Sequence, residues 1–333
     1  MRIAVNGFGR IGKTFVRAFL ADPSGLKVVA INVGSADKEM IALAMRFDTL
    51  LGQYPGTVEY KDSELIIDGT TRIALINELN PEKLPWKSLK IDWVVEASGH
   101  FTTREGAHKH ILAGAQRVLI SAPAKGDDVT IIPGVNEAMY DSSHTIVSLG
   151  SCTTNAVYPM LKVIKDSFGI EYGFMTTVHA YTNTQTLLDV DTHKKDPRRS
   201  RAAALNMVPS STGAMEVVTK VMPDLVGKLM GNSLRVPVGK VSIIDLTVHL
   251  SRGASIKEIN LAFEEASQGE LSGIIGYSCE PLVSSDYSGN SHSVTLDSLL
   301  TQSMGQAVKV FGWYDNEWGY SVRLKDFLST IAS

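Results

Sequence analysis

The sequence is poor in cysteine. Cys152 and Cys279 are the only two in 333 residues, which excludes a disulfide framework and fits a reduced, intracellular protein. It also lacks an excess of either charge: 32 Lys and Arg face 35 Asp and Glu, for a formal net charge of −3. A chain this close to neutral has no global electrostatic reason to bind nucleic acid or an anionic membrane. No apolar run approaches the ~18 residues that a membrane helix requires, and Gly7 arrives before a signal-peptide h-region could form. The expected location is the cytoplasm. Repeats, low-complexity tracts and zinc-type ligand spacings are missing too, so no metal is expected. What remains is globular material, 44% hydrophobic and 20% charged, with enough length for two domains at ~100–200 residues each.

Patterning divides the chain near residue 150. Residues 2–6 and 27–32 read as apolar strands. Between them, residues 10–21 place Ile11, Phe15, Val16, Phe19 and Leu20 on one helical face. Strand, glycine turn, helix and strand make a βαβ unit, a parallel pair with a right-handed crossover. Further strands are expected at 91–96, 117–121 and 145–149, with a helix at 103–113. This alternation predicts an α/β domain over residues 1–150 built on a doubly wound, Rossmann-type parallel sheet. After it come a helix at 152–168, strands at 174–178, 233–238 and 241–250, and a helix at 255–268 with Ser255 as its N-cap. These predict a mostly antiparallel, α+β catalytic domain over residues 151–319. Residues 181–207 form a polar loop, basic in its middle and long enough to signal function. A final helix at about 320–333 is expected to return to the first domain.

Gly7-Phe8-Gly9-Arg10-Ile11-Gly12 is a G-x-G-x-x-G motif. Alone it is weak, but here it follows a predicted strand and opens a predicted helix. Gly7 permits the tight turn, Gly9 the approach of a pyrophosphate, and Gly12 close helix–strand packing, with the anion at the positive end of the helix. A selective NAD site wants an acid at the end of the second strand. This chain has Asn32-Val33-Gly34-Ser35 there. Losing the carboxylate removes repulsion against a 2′-phosphate, and Gly34 and Ser35 could offer it donors. One reading is NADP acceptance; the other is that Val33 merely weakens NAD selectivity.

Ser151-Cys152-Thr153-Thr154-Asn155 lies between a predicted strand and a predicted helix. A cysteine at a helix N-terminus feels the dipole and free N–H groups, which favour a thiolate and can form an oxyanion hole. The commoner fate of a free cysteine is inert burial, which the surrounding hydroxyls and amide disfavour. His179 ends an apolar strand, where functional side chains concentrate, and an imidazole is what a nucleophilic sulfur needs as acid and base. Spacing alone cannot pair the two. Lys194, Lys195, Arg198, Arg199 and Arg201 are anion candidates, with Arg198 and Arg199 read as a solvated face or subunit contact. Arg235 lies inside a predicted strand, where a charge is costly unless paired, and reads as an anion ligand. Ser210-Ser211-Thr212-Gly213 is a hydroxyl-rich turn suited to phosphate oxygens.

Taken together, the motifs resemble the phosphorylating glyceraldehyde-3-phosphate dehydrogenase family, nearly end to end. They are N-G-F-G-R-I-G from Asn6, S-C-T-T-N from Ser151, T-T-V-H-A-Y-T-N from Thr176 and R-A-A-A-L-N from Arg201. S-T-G-A from Ser211, L-R-V-P-V from Leu234, P-L-V-S-S-D from Pro281 and W-Y-D-N-E-W-G-Y from Trp313 continue the series. The resemblance implies reversible oxidation of glyceraldehyde 3-phosphate with NAD or NADP. Cys152 would form a thiohemiacetal and then a thioester, His179 would be the acid and base, and inorganic phosphate would release 1,3-bisphosphoglycerate. It also implies that Thr182 and Arg235 hold the substrate phosphate, and that Ser151, Thr153, Thr212 and Gly213 line the inorganic phosphate site. Asn316 would orient the nicotinamide and Tyr320 pack on its ring. Arg10 and Ile11 would meet the pyrophosphate, and Asn32, Val33, Gly34, Ser98, Gly99 and Ser121 would lie at the cofactor. The long loop would reach a neighbouring subunit in a homotetramer.

Four departures from the family pattern stand out. The usual acid is Val33, an acid usual two positions after Thr182 is Thr184, and a second cysteine usual four positions after Cys152 is Ala156. In the loop, residues 190–197 replace a shorter stretch carrying a Leu-Pro pair that goes with NAD selectivity. The first and last both point towards NADP. The alternatives are erythrose-4-phosphate dehydrogenase, which the stretch 179–183 fits less well, and a non-catalytic cofactor-binding relative. Cys279 falls outside every motif.

Overall fold

A computed structural model describes residues 1–191 and 196–332. Two compact units emerge. One comprises Met1–Ile131, Ala138–Gly150 and the segment from Ser321; the other comprises Ile132–Glu137 and Ser151–Tyr320.

The first unit opens with β1 (Arg2–Asn6), α1 (Arg10–Ala21) and β2 (Lys27–Asn32). Ile3, Ala4, Val5, Ala30 and Ile31 are all buried, because parallel strands covered on both faces read as continuous apolar runs. Next come α2 (Lys38–Arg46), β3 (Val58–Lys61), β4 (Glu64–Ile67), β5 (Thr71–Ile76) and α3 (Trp86–Leu89). The unit continues with β6 (Trp93–Glu96), α4 (Arg104–Leu112), β7 (Arg117–Ile120), β8 (Val129–Thr130) and β9 (Ile146–Ser148). The nine strands form one sheet in the order β3-β4-β5-β2-β1-β6-β7-β9-β8. It is parallel from β5 to β8, as the βαβ pattern requires. The β3–β4–β5 edge is antiparallel, a departure from the all-parallel expectation. Its hairpin turns on Asp62 and Ser63, both at positive φ (52° and 63°). With no glycine at that turn and a polar run through it, the hairpin gave no sequence signal.

The second unit opens with α5 (Cys152–Phe168) and β10 (Ile170–Ala180). It continues with β11 (Val208–Ser210), α6 (Val218–Val221), β12 (Leu229–Val236), β13 (Ser242–Leu250) and α7 (Ile256–Gln268). Then follow β14 (Ile275–Ser278), β15 (Val294–Asp297), β16 (Gln302–Met304) and β17 (Ala307–Tyr314), and α8 (Trp318–Thr330) enters the first unit at Ser321. The strand order is β11-β12-β10-β13-β17-β15-β14, with β16 on β17. Pairing is antiparallel except for β10 with β12 and β14 with β15. Met160, Ile164, Met175, Leu246, Phe263 and Val310 belong to its core. β10 begins four residues earlier than the pattern predicts, because a register shift between Ile170 and Tyr172 interrupts its alternation. β12 stops at Val236, before Pro237, which has no N–H to give the ladder. The parallel register sets His179 opposite Arg235. Among the described residues, no helix is long and apolar enough to cross a membrane.

Candidate active site and dinucleotide pocket

Cys152 is the first residue of α5, and Ser151 caps the helix. The Ser151 hydroxyl accepts from the Thr154 N–H at 3.2 Å, while the Thr154 hydroxyl accepts from the Ser151 N–H at 2.7 Å. His179 ends β10 on its buried face. Its Nε2 lies 3.5 Å from the Cys152 sulfur, so the fold makes the pairing that spacing could not. His179 Nδ1 lies 2.6 Å from the Ala180 carbonyl and 2.7 Å from Arg235 Nη1. Protonated, Nδ1 donates to Ala180 and leaves Nε2 able to accept the thiol proton. Deprotonated, Nδ1 accepts from Arg235 and Nε2–H faces the sulfur. Both tautomers of a proton-transfer group therefore have partners.

Burial pushes the His179 imidazole down to about 3, and the Arg235 and Arg199 charges add to this against the Ala180 carbonyl. Burial pushes the Cys152 thiol up, while Arg235 and Thr153 pull it back. Burial thus opposes the charged form of both groups, while Arg235 and Thr153 favour the thiolate. Of the N–H groups at this helix start, that of Thr154 is engaged by the Ser151 cap.

Sequence reasoning missed Tyr314, at the end of β17. Its hydroxyl lies 3.2 Å from Thr153 Oγ1 and 2.7 Å from Thr177 Oγ1, and its ring stands edge-on to His179 at 6.0 Å. Burial raises the pKa of this hydroxyl, keeping it a donor. Asn316 is buried and its Oδ1 accepts from the Ser242 hydroxyl at 3.2 Å; Tyr320 is also buried.

Arg235 has no carboxylate among the described groups that act on it, and burial lowers its pKa first of all. Thr182 Oγ1 lies 2.9 Å from Thr184 Oγ1. Arg199 reaches Thr184 Oγ1 and the Ser211 carbonyl, each at 3.5 Å, and pairs with Asp196 at 3.3 Å. Thr184, Asp196, Arg199 and Ser211 line a cavity of about 610 Å³. Arg199 is half-buried in this chain while Arg198 is exposed, so of the two readings given for the pair, solvated face or subunit contact, the first fits Arg198 alone. Thr212 Oγ1 accepts from the Ala214 N–H at 3.2 Å, and a Cβ on Gly213 would approach only Glu216, at 3.8 Å. Arg201 is held by Asp189 at 2.6 Å. Lys194 and Lys195 lie outside the described residues.

In the first unit, the three motif glycines separate by role. Gly7 has φ +98°, and a Cβ there would meet Ser98 N at 2.6 Å. A Cβ on Gly12 would meet the Gly7 carbonyl at 2.0 Å. A Cβ on Gly9 would meet nothing within 4 Å, and Gly9 faces a cavity of about 460 Å³. An open face at the helix start, backed by two tightly fitted glycines, suits a dinucleotide pyrophosphate. The wall includes Asn6, Asn32, Val33, Gly34, Glu78 and Ser98. Gly34 and Gly99 sit at φ +60° and +75°.

Several of the expected cofactor residues also have partners within the protein. The Arg10 side chain pairs with Asp48, as does Lys13. Burial alone would raise the Asp48 carboxyl, but those two cations hold it well below its usual range. Ile11 is half-buried within α1. The Ser121 hydroxyl donates to the Glu96 carbonyl at 2.9 Å. Asn32 gives its amide protons to Asn6 Oδ1 and the Glu78 carbonyl, at 2.6 and 2.8 Å. Its side chain therefore shapes the wall.

Two family models match the chain. "Glyceraldehyde 3-phosphate dehydrogenase, NAD binding domain" covers residues 1–104, and "Glyceraldehyde 3-phosphate dehydrogenase, C-terminal domain" covers residues 151–316. The chain is 47% identical to glyceraldehyde-3-phosphate dehydrogenase 2 of Streptomyces avermitilis over 328 residues, 98% of this chain and 97% of the relative. It is 47% identical to glyceraldehyde-3-phosphate dehydrogenase 1 of Bacillus subtilis over 334 residues, 100% of this chain and 98% of the relative. Against the enzyme of Kitasatospora aureofaciens it is 48% identical over 333 residues, 100% of this chain and 99% of the relative.

Proposed function

Because the chain belongs to the glyceraldehyde-3-phosphate dehydrogenase family, we propose that it converts glyceraldehyde 3-phosphate and inorganic phosphate to 1,3-bisphosphoglycerate, reversibly and with NAD. The observation that carries this reading is Cys152 Sγ 3.5 Å from His179 Nε2, beside an arginine with no carboxylate partner among the described residues. The unit bearing Gly7, Gly9 and Gly12 is the cofactor domain, and the unit bearing Cys152 the catalytic domain. A cytoplasmic site of action accompanies this reading.

Sγ attacks the aldehyde carbon as its proton passes to Nε2, and the carbonyl oxygen takes a proton to give a thiohemiacetal. His179 then accepts the hydroxyl proton, leaving an acyl thioester on Cys152. When bound, the nicotinamide supplies the hydride acceptor for this oxidation. Inorganic phosphate attacks the thioester carbon and expels the sulfur, and the acyl phosphate departs. Arg235, Thr182 and the half-buried Arg199 hold the substrate phosphate through charge-assisted bonds. Ser151, Thr153, Thr212 and Gly213 receive the inorganic phosphate. Asn316 orients the nicotinamide amide and Tyr320 supports its ring.

For the cofactor, Val33 removes a carboxylate facing the 2′ position, but Glu78 keeps one on the wall, and none of the wall residues is Lys or Arg. That balance supports NADP acceptance, short of preference. The loop 181–207 serves a homotetramer.

A purified-protein activity matrix tests the reading: glyceraldehyde 3-phosphate against erythrose 4-phosphate, NAD against NADP, with and without phosphate. The expected result is phosphate-dependent nicotinamide reduction with the triose, lost in Cys152→Ser. Faster turnover of the tetrose would give the site to the erythrose reaction. No turnover with either aldehyde would leave a cofactor-binding relative.

A further inference from the structure

A carboxylate is buried behind the dinucleotide pocket. Glu96, the last residue of β6, is 1% exposed, and four donors converge on it. Oε2 accepts from Asn6 Nδ2 at 2.5 Å and lies 3.0 Å from His110 Nε2. Oε1 accepts from the Ser98 backbone N–H at 2.8 Å and from the Ser98 hydroxyl. The other His110 nitrogen, Nδ1, is 3.0 Å from Trp86 Nε1, a group that can only donate. Nδ1 is therefore the acceptor, and Nε2 carries the proton given to Glu96.

The same polarity runs outward to the pocket. Asn6 spends its N–H on Glu96, so its Oδ1 turns away and accepts from Asn32 Nδ2 at 2.6 Å. Asn32 Oδ1 then accepts from the backbone N–H groups of Glu78 at 3.1 Å and Gly34 at 3.3 Å. Gly34, Glu78 and Ser98 all line the pocket. Side-chain amides can flip, but a backbone N–H cannot become an acceptor. The backbone at one end and Glu96 at the other thus dictate the orientation of both asparagines.

We propose that Glu96 is a positioning residue for the cofactor: through Asn6 and Asn32 on one side and Ser98 on the other, its carboxylate fixes the pocket segments that meet the dinucleotide. This rests on the dinucleotide reading above. Glu96→Gln has no harmless orientation. With its amide nitrogen on Ser98, a donor faces the Ser98 backbone N–H. With that nitrogen on Asn6, both asparagines reverse and a donor faces the N–H groups of Gly34 and Glu78. Adding Asn6→Asp removes both conflicts. The introduced amide then keeps its oxygen on Ser98 and donates its N–H to the introduced carboxylate, which also accepts from Asn32. The remaining conflict, with the His110 N–H, lies in the core and away from the pocket.

The test measures NAD dissociation constants by fluorescence titration, with thermal midpoints and turnover at saturating NAD. E96Q is expected to bind NAD about tenfold more weakly, the order that one buried, unsatisfied donor costs. Its saturated turnover should stay near wild type. E96Q/N6D should recover wild-type affinity within about twofold while both variants keep a lowered thermal midpoint. Wild-type affinity in E96Q, or no recovery in the double variant, overturns the proposal. If E96Q is too unstable to purify, the double variant decides alone: wild-type affinity supports the relay, and lost affinity overturns it. A wild-type protein that binds neither NAD nor NADP would instead remove the cofactor reading on which the relay rests.

Discussion

At the scale of single residues, His179 carries the most consequence. Its neutral state has a cost that appears only as pH falls. Folded, burial and the nearby arginines hold its pKa at about 3; unfolded, it returns to about 6.5. The unfolded chain therefore binds more protons between these values, and stability falls with pH across that window. The His179 contribution is complete above about pH 6.5 and declines towards pH 3. His179→Asn should lose less stability than wild type between those limits, as measured by urea unfolding at a series of pH values. Parallel pH profiles would refute the depressed pKa. Cys152 and His179 were legible in the sequence as residue types in suggestive places. Their pairing was not, because it depends on how α5 and β10 pack around a common core. The difference between Arg198 and Arg199 was not legible, because a basic run looks uniformly solvated until the fold half-buries one member. Tyr314 stood inside the W-Y-D-N-E-W-G-Y motif without a role, since a tyrosine ending a strand is usually core.

At the scale of elements, the turn from β1 into α1 shows how one motif divides its work between folding and binding. A Cβ on Gly12 would collide with the Gly7 carbonyl, whereas one on Gly9 would enter open space. Gly12→Ala should lower stability by about 1–3 kcal/mol through overpacking. Gly9→Ala should leave stability within about 1 kcal/mol yet weaken NAD binding, because its methyl group enters the space above the helix start. Equal effects of the two substitutions on the denaturation midpoint would contradict this division. Elements with strong local punctuation were readable: α5 and α7 each begin at a serine cap, and α1 begins at the glycine turn. The β3–β4 hairpin and the early starts of β10 and β12 were not, because their polar or bulged residues mask the period-2 alternation.

At the scale of the whole molecule, some exposed side chains are unusual for a chain alone in water. Leu187 and Leu205 in the long loop are 81% and 79% exposed, and Phe174 and Met230 are exposed on β10 and β12. These two strands are neighbours, so Phe174 and Met230 add to one sheet face. The proposed homotetramer would cover such residues. Light scattering should give about four times the 36.1 kDa chain mass, and Leu187→Asp with Met230→Asp should lower it. A monomeric wild type would refute the assembly. Length and composition announced two cores. They could not assign residues 132–137 to the second unit, since nothing local in that stretch marks a change of core.

Ala156 stands one helical turn after Cys152 and is sealed in the apolar core of its unit. The remaining thiol, Cys279, is exposed on a segment far along the chain. A sulfenic acid formed on Cys152 by peroxide would meet an aliphatic wall one turn away, with no resolving thiol to capture it. The protein has no repair partner built into that helix. Reduction of such an oxidised Cys152 would fall to a thiol from outside that helix.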